Sequence, residues 1–482
     1  MADNENWVPG SFWIPGEEEH AVHGRLYLSS DFRLELEGFL STPWESWTAT
    51  DSDGNTREGG ALKREEEPLL ILGNLRQGRR KVSLFECITT KRSGNLILSA
   101  EAAQTVRPQY GLRGIHTTTP TDFTSARLRF QHLDRWASAL GFGYEMYEDG
   151  KLRMSYDPPQ SDKATLTDGA TVSLDFITDF DIPDVSGGGI ARRTFVRVEG
   201  FQPTGFLDVD RKYQTPLVSL LQLSLLHQSR PISLALRVGQ GRWVDVLSEA
   251  YNDVDPSPTR IRDGRTILGL ADIGLEGVAQ WLDRVKILGP LPPVVADTAA
   301  ASSIQLESML VELTSVAEGL HSRLLADPDR PVNRETFERV RDVAVSALEG
   351  EEEEVVELVR STLSNIRRVS YRSRLAALRG HVGAVVEEVF GYDVNAWEKI
   401  VTQTRNKFAH RDVDHIKPED VGEFVAVVYS VRWLLVALLL AETGITHDSL
   451  RTCIKRSERF ELFVAQAPSL LPEVYAPAAA RS

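Results

Sequence analysis

Cysteine is almost absent: only Cys87 and Cys453 occur in 482 residues. They lie far apart in the chain, so no disulfide framework holds it together, and a reducing cytoplasm is the compartment that suits it. A basic surplus is also missing. The 69 Asp and Glu outnumber the 54 Lys and Arg, for a formal net charge of −15. That excludes a protein that coats nucleic acid non-specifically, because such binding depends on Lys and Arg neutralising phosphates. An enzyme that meets RNA at one cleft is still allowed. Residues 1–10 are acidic and polar, without the apolar core of a secretory signal. The longest apolar stretch, residues 424–440, falls short of the roughly 20 residues that a bilayer requires. It also carries Arg432 near its middle, which is costly in hydrocarbon. A buried helix of a bundle accounts for it better, and no membrane partner is expected. No G-x-x-x-x-G-K-[ST] loop is present, which argues against nucleotide hydrolysis, and Gly239-Gln-Gly241-Arg-Trp243 is too short a match to carry weight.

What is present is an ordinary globular composition, 42% hydrophobic and 26% charged, in a chain long enough for two or three domains. Residues 1–290 carry period-two alternation at 24–28, 81–87 and 194–199, the mark of strands with one buried face. Helical patterns interrupt at 130–140, 215–228 and 274–285, with loops at 157–163 and 186–189. Gly289-Pro-Leu-Pro-Pro293 and the small residues of 298–303 have linker composition. From Ile304 the apolar period becomes helical, through Leu306, Met309, Leu310, Leu313 and Val316. Further helices are expected at about 333–346, 351–364, 370–388, 395–408, 417–442 and 447–456. The expected fold class is therefore α+β in two domains: a β-rich domain over 1–290 with a few helices, a linker over 291–303, and an all-α bundle over 304–482.

Charge is uneven within the helical part. Glu349 and Glu351 to Glu354 form an acidic run, whereas Arg360, Arg367, Arg368, Arg372, Arg374 and Arg379 share a segment with no acid. Two readings stand: solvated helix faces, or a basic rim guiding RNA toward a cleft. An arginine and a following histidine with four to six residues between them occur at Arg127/His132, Arg374/His381 and Arg405/His410. Only the third, Arg405-Asn406-Lys407-Phe408-Ala409-His410, puts an amide directly after the arginine and lies between two helical patterns, with Arg411 continuing the polar run. A histidine exchanges protons near neutral pH and an arginine grips phosphate oxygens at any pH. The competing reading is a helix C-terminus where Arg and His meet the dipole. His410, Asp412, Asp414 and His415 invite a metal, but one loop supplying all four ligands is geometrically poor, so no metal or other cofactor is expected.

The string from Arg405 to His410 resembles the signature of HEPN ribonucleases, and the resemblance runs through about residues 304–457. Phe12-Trp13-Ile14-Pro15-Gly16, Val22-His23-Gly24-Arg25-Leu26-Tyr27, Leu34-Glu35-Leu36-Glu37-Gly38, Ile71-Leu72-Gly73-Asn74, Gly114-Ile115-His116 and Leu133-Asp134-Arg135-Trp136 resemble the ApeA N-terminal domain. That domain occurs joined to a C-terminal HEPN domain in bacterial antiphage proteins. The resemblance implies a helical-bundle, metal-independent endoribonuclease acting in abortive infection on tRNA or mRNA, assembled as a homodimer or higher even-numbered oligomer. It implies an N-terminal domain that senses or restrains, with a phage-derived trigger. It further implies that His410 exchanges the proton, Arg405 stabilises the phosphoryl charge, and Asn406 orients the imidazole or binds phosphate. Glu318 matches a position where related domains carry an acid and would direct Arg405; a plain surface glutamate is the alternative. Arg367, Arg368, Arg372, Lys407 and Arg411 are the candidate RNA contacts. The alternative function is a non-catalytic interaction protein in which the bundle only dimerises.

Overall fold

A computed structural model describes residues 6–477 apart from 30, 42–43, 51–55, 63–66, 77–79, 94–101, 120–121, 139–140, 148, 150–151, 158–161, 185–186, 253, 256–260, 262–265, 302–304, 326–333, 349, 367–368, 410–416 and 418–419. The strands are β1 (Trp7–Trp13), β2 (Val22–Tyr27), β3 (Arg33–Leu36), β4 (Trp44–Thr50), β5 (Thr56–Leu62), β6 (Leu69–Leu75), β7 (Arg80–Ser93), β8 (Ala103–Arg107), β9 (Tyr110–Arg113) and β10 (Phe123–Phe130). They continue as β11 (Phe142–Met146), β12 (Leu152–Tyr156), β13 (Lys163–Thr165), β14 (Thr171–Asp184), β15 (Gly187–Thr204), β16 (Pro231–Arg237) and β17 (Val244–Leu247). The helices are α1 (Leu133–Ala137), α2 (Phe206–Val209), α3 (Thr215–Leu225), α4 (Leu270–Leu288), α5 (Leu291–Ala300), α6 (Leu306–Leu324) and α7 (Arg334–Ser346). After them come α8 (Glu353–Ile366), α9 (Tyr371–Val382), α10 (Val394–Ala409), α11 (Val421–Ala441), α12 (His447–Lys455), α13 (Glu458–Leu470) and α14 (Pro472–Tyr475).

The β-rich unit holds a 13-stranded sheet, ordered β13-β14-β15-β10-β16-β17-β9-β7-β6-β1-β2-β3-β8. The long β7 also pairs with β8, so β7-β6-β1-β2-β3-β8 closes into a six-stranded barrel. Alternation along these strands turns Phe12, Leu26, Leu34, Ile71, Val82, Leu84 and Val106 into the barrel core. The narrow barrel needs glycine where strands crowd. Gly10 faces Gly24 across β1 and β2, and a Cβ on Gly24 would run into the Glu35 carbonyl of β3. The other strands extend the sheet through β9, β17, β16, β10, β15 and β14. Their buried face is apolar: Leu112, Ala126, Leu128, Val172, Val196, Val198, Leu234, Leu236, Val244 and Val246.

The helical unit is built around α11. Its residues 424, 426–428, 430–431 and 433–440 are all buried, and it packs against α3, α5, α6, α9, α10, α12 and α13. This helix is long and apolar enough to cross a membrane, yet 78% of its most apolar window is covered by the unit itself. Arg432 lies half-buried on its flank with its guanidinium 4.2 Å from the Tyr429 ring, and burial pulls its pKa down to about 10. Cys87 and Cys453 are both free and buried, one in each unit.

The division of the chain differs from the expected cut near 290. The helical unit comprises Trp136–Ser138, Thr215–Gln228 and Arg260–Ser482, and the β-rich unit takes the rest. The expected linker over 291–303 is corrected as well: Leu291–Ala300 is helix α5, with Val295, Ala296, Ala299 and Ala300 buried. Its prolines fall in the first turn, where a missing N–H costs nothing and the fixed φ suits a helix. Gly187–Gly189, expected within a loop, begins β15 and pairs with β14.

Candidate active site

Helix α10 carries Arg405, and its own sequence fixes where that arginine emerges. Asp393 caps its start, the carboxylate accepting from Ala396 N–H at 3.0 Å. Trp397, Ile400, Val401 and Thr404 give it a buried stripe. Trp397 Nε1 donates to Ser430 Oγ of α11 at 3.0 Å, and the Phe408 ring lies 4.7 Å from that of Phe424. With both ends of the stripe anchored, Arg405 is set beside α6 and α9 rather than in open solvent.

On α6 the stripe Leu310, Leu313, Ala317, Leu320 is buried, and Glu318 stands at its edge. Arg405 Nη2 donates to Glu318 Oε1 at 3.0 Å, while Nη1 donates to Asn406 Oδ1 at 3.1 Å. The guanidinium carbon lies 5.4 Å from the Tyr371 ring centre. Tyr371 opens α9, whose cap Ser370 accepts from Ser373 N–H at 3.1 Å. The Tyr371 hydroxyl is buried and has no hydrogen-bond partner among the described residues. Burial pushes its pKa up, the Glu318 charge adds to the rise, and Arg405 opposes it, so the group keeps its proton at neutral pH. Arg374, also on α9, donates to the Glu318 carbonyl and to Ser322 Oγ, each at 3.4 Å.

The structure thus brings Arg405, Asn406 and Glu318 together. Lys407 is exposed in the last turn of α10. Arg372 is held by the buried Glu398 of α10, with Nε 3.4 Å from its carboxylate, and Arg379 approaches the same carboxylate at 3.3 Å. His410, Arg411, Asp412, Asp414, His415, Arg367 and Arg368 lie outside the described residues. Among the described residues no group of three or more His, Cys, Asp or Glu is gathered in a way that could hold a metal. The other two arginine–histidine pairs are placed differently. Arg127 pairs with Asp175 at 2.8 Å in the β-rich unit, His132 sits in a turn at φ 63°, and His381 Nε2 lies 3.6 Å from Glu442. Sequence reasoning missed Tyr371, and it treated Arg374 as half of a chance pair and as one of a run of arginines rather than as a neighbour of Glu318. The sequence signal for Tyr371 was weak: an aromatic following a serine cap, far from Arg405 along the chain.

An arginine clamped by one carboxylate, beside a buried phenol and five residues before His410 in the sequence, is suited to gripping a phosphate. The family described as ApeA N-terminal domain 1 matches residues 8–260, and the Apea-like HEPN family matches residues 311–449. The chain belongs to the ApeA-like family. At family level this means a HEPN-type nuclease domain in antiphage defence. The Apea-like HEPN match contains Glu318, Tyr371, Arg405 and Asn406, and the N-terminal match ends where the long final stretch of the helical unit begins. No curated protein and no solved structure matches the chain.

Proposed function

We propose that this ApeA-like chain is a metal-independent endoribonuclease whose reacting groups are Arg405 and His410. The observation that carries the reading is the guanidinium of Arg405, held by Glu318 and Asn406, its other N–H groups having no hydrogen-bond partner among the described residues. In this mechanism the RNA 2′-oxygen attacks the adjacent phosphorus, and the P–O5′ bond breaks. The products are a 2′,3′-cyclic phosphate and a 5′-hydroxyl. Arg405 takes up the negative charge gathering on the non-bridging oxygens. His410 removes the 2′-hydroxyl proton or protonates the leaving 5′-oxygen, work that contributes about 10²- to 10⁴-fold. One protomer offers one such histidine, so a two-fold dimer supplies the complementary acid or base from a second copy. Of the candidate RNA contacts, Lys407 and Arg372 lie among the described residues, Arg372 paired with Glu398, and Arg367, Arg368 and Arg411 complete the set. tRNA or mRNA is the substrate, and the N-terminal domain restrains the nuclease until a phage-derived trigger arrives.

Incubating the purified chain with total tRNA and mRNA, with and without EDTA, and mapping the cut ends tests the reading. Cyclic phosphate ends formed in EDTA support it. A folded, dimeric chain that cuts neither RNA, alone or with an extract of phage-infected cells supplying the trigger, sinks it in favour of a non-catalytic interaction module.

A further inference from the structure

The extended part of the sheet has a second face whose composition runs against that of the chain. Cross-strand partners share a face. The register runs Arg113 on β9, Asp245 on β17, Ala235 on β16, Arg127 on β10 and Arg197 on β15. Two residues along, Arg237, Ser125 and Glu199 align, as do Phe195 and Asp175. Arg129 and Arg193 follow on the same side by alternation. Among the described side chains, this face gathers six arginines and three carboxylates, Asp175, Glu199 and Asp245, in a chain of net charge −15.

The guanidiniums are braced. Arg127 Nε donates to Asp175 at 3.0 Å, and its guanidinium carbon lies 4.4 Å from the Trp243 ring centre. Arg197 Nη1 reaches the other Asp175 oxygen at 3.1 Å. Arg237 pairs with Glu199 and lies 4.7 Å from the Trp243 ring, and Arg113 Nη2 meets Asp245 at 3.0 Å. A carboxylate on one edge and an indole beneath fix the plane of a fork before any ligand arrives. Over this face lies a cavity of about 550 Å³, lined by Arg113, Arg127, Arg193, Phe195, Trp243 and Tyr251, among others. That volume falls within the roughly 300–1,000 Å³ of small-molecule sites. The described lining of the cavity carries three arginines, Arg113, Arg127 and Arg193, and one carboxylate, Asp245, a balance that favours an anion, and planar forks match phosphate oxygens.

We propose that this cavity binds a small phosphate-bearing ligand of nucleotide size, its phosphates on the arginines and its ring against the aromatic lining. The proposal concerns the β-rich unit alone and does not depend on the nuclease reading. Calorimetric titration of the full-length chain with ATP, GTP, ADP and AMP, and with tripolyphosphate and inorganic phosphate, tests it. At least one nucleotide binds at micromolar concentration and at least tenfold tighter than tripolyphosphate, and its binding weakens as salt is raised. Arg193→Gln and Arg113→Gln, each checked for an unchanged melting temperature, weaken it at least tenfold, whereas the exposed Arg211→Gln does not. If one variant fails to fold, the other and the salt series of the unaltered chain decide. No nucleotide binding up to millimolar concentration overturns the proposal. So does binding that ignores salt or both variants. Arg193-dependent capture of a short RNA without mononucleotide binding also overturns it and makes the face a nucleic-acid surface.

Discussion

Removing the Glu318 carboxylate separates a positioning role from a structural one. Glu318 and Arg405 are 3.0 Å apart, with side chains 33% and 29% exposed. At that exposure water screens the pair, so Glu318→Ala should cost the fold no more than about 1 kcal/mol. Its effect on the reaction is larger. Without Oε1 the guanidinium keeps Asn406 and the Tyr371 ring but can swing about its long stem, and a misplacement of about 1 Å costs on the order of 10²-fold. The expected loss is thus about 10- to 100-fold, carried by kcat rather than KM, because Arg405 acts on charge that develops only in the transition state. Glu318→Gln keeps an oxygen acceptor and should recover most of that loss. Single-turnover cleavage of a fluorescently quenched RNA, paired with urea melts, reads both quantities. Wild-type kcat in Glu318→Ala would refute the positioning role. A stability loss above about 3 kcal/mol that tracks the activity loss would make the residue structural.

Other outcomes follow from the same geometry. Arg405→Ala and His410→Ala should each lower cleavage at least about a hundredfold in a folded chain, while His132→Ala and His381→Ala leave it almost unchanged, measured on one RNA substrate. Leu435→Ala, fully buried on α11, should cost about 2–5 kcal/mol by urea unfolding. Asp210 has its pKa raised by burial, partly offset by the hydrogen bond from Gln214. The folded state therefore holds the Asp210 proton more tightly than the unfolded one, and this contribution to stability is lost as pH rises through the raised pKa. Asp210→Asn should accordingly raise the melting temperature at pH 7, with a gain that shrinks toward acid pH.

Much of the helical part could be read from local pattern. The apolar run containing Arg432 becomes α11, and the three-to-four period beginning at Leu306 becomes α6. Strand alternation at 24–28, 81–87 and 194–199 likewise falls on β2, β7 and β15. The order of strands could not be read, because β17 pairs on one side with β9, far back in the sequence, as Asp245 opposite Arg113. The segment after Gly289 misled because proline is a poor guide near a helix start, where the first turn tolerates it. At the candidate site, the pairing of Arg405 with Glu318 was suggested by position alone, whereas Tyr371 joins it only through the packing of α9 on α6 and α10.

The helical unit recruits residues 215–228 from between two strands of its neighbour, and this has a consequence for how the protein is made. Helix α3 emerges with Leu217, Leu220, Leu221, Leu223 and Leu225 all destined for burial, yet its partners α5 and α11 are encoded later. At roughly 5–20 residues per second, the ribosome takes ~4–15 s to reach Ala300 and ~11–43 s to reach Ala441. For that interval a greasy helix waits uncovered on a nascent chain, which makes it a natural hold for a chaperone. A stall or truncation downstream leaves the same surface open to aggregation.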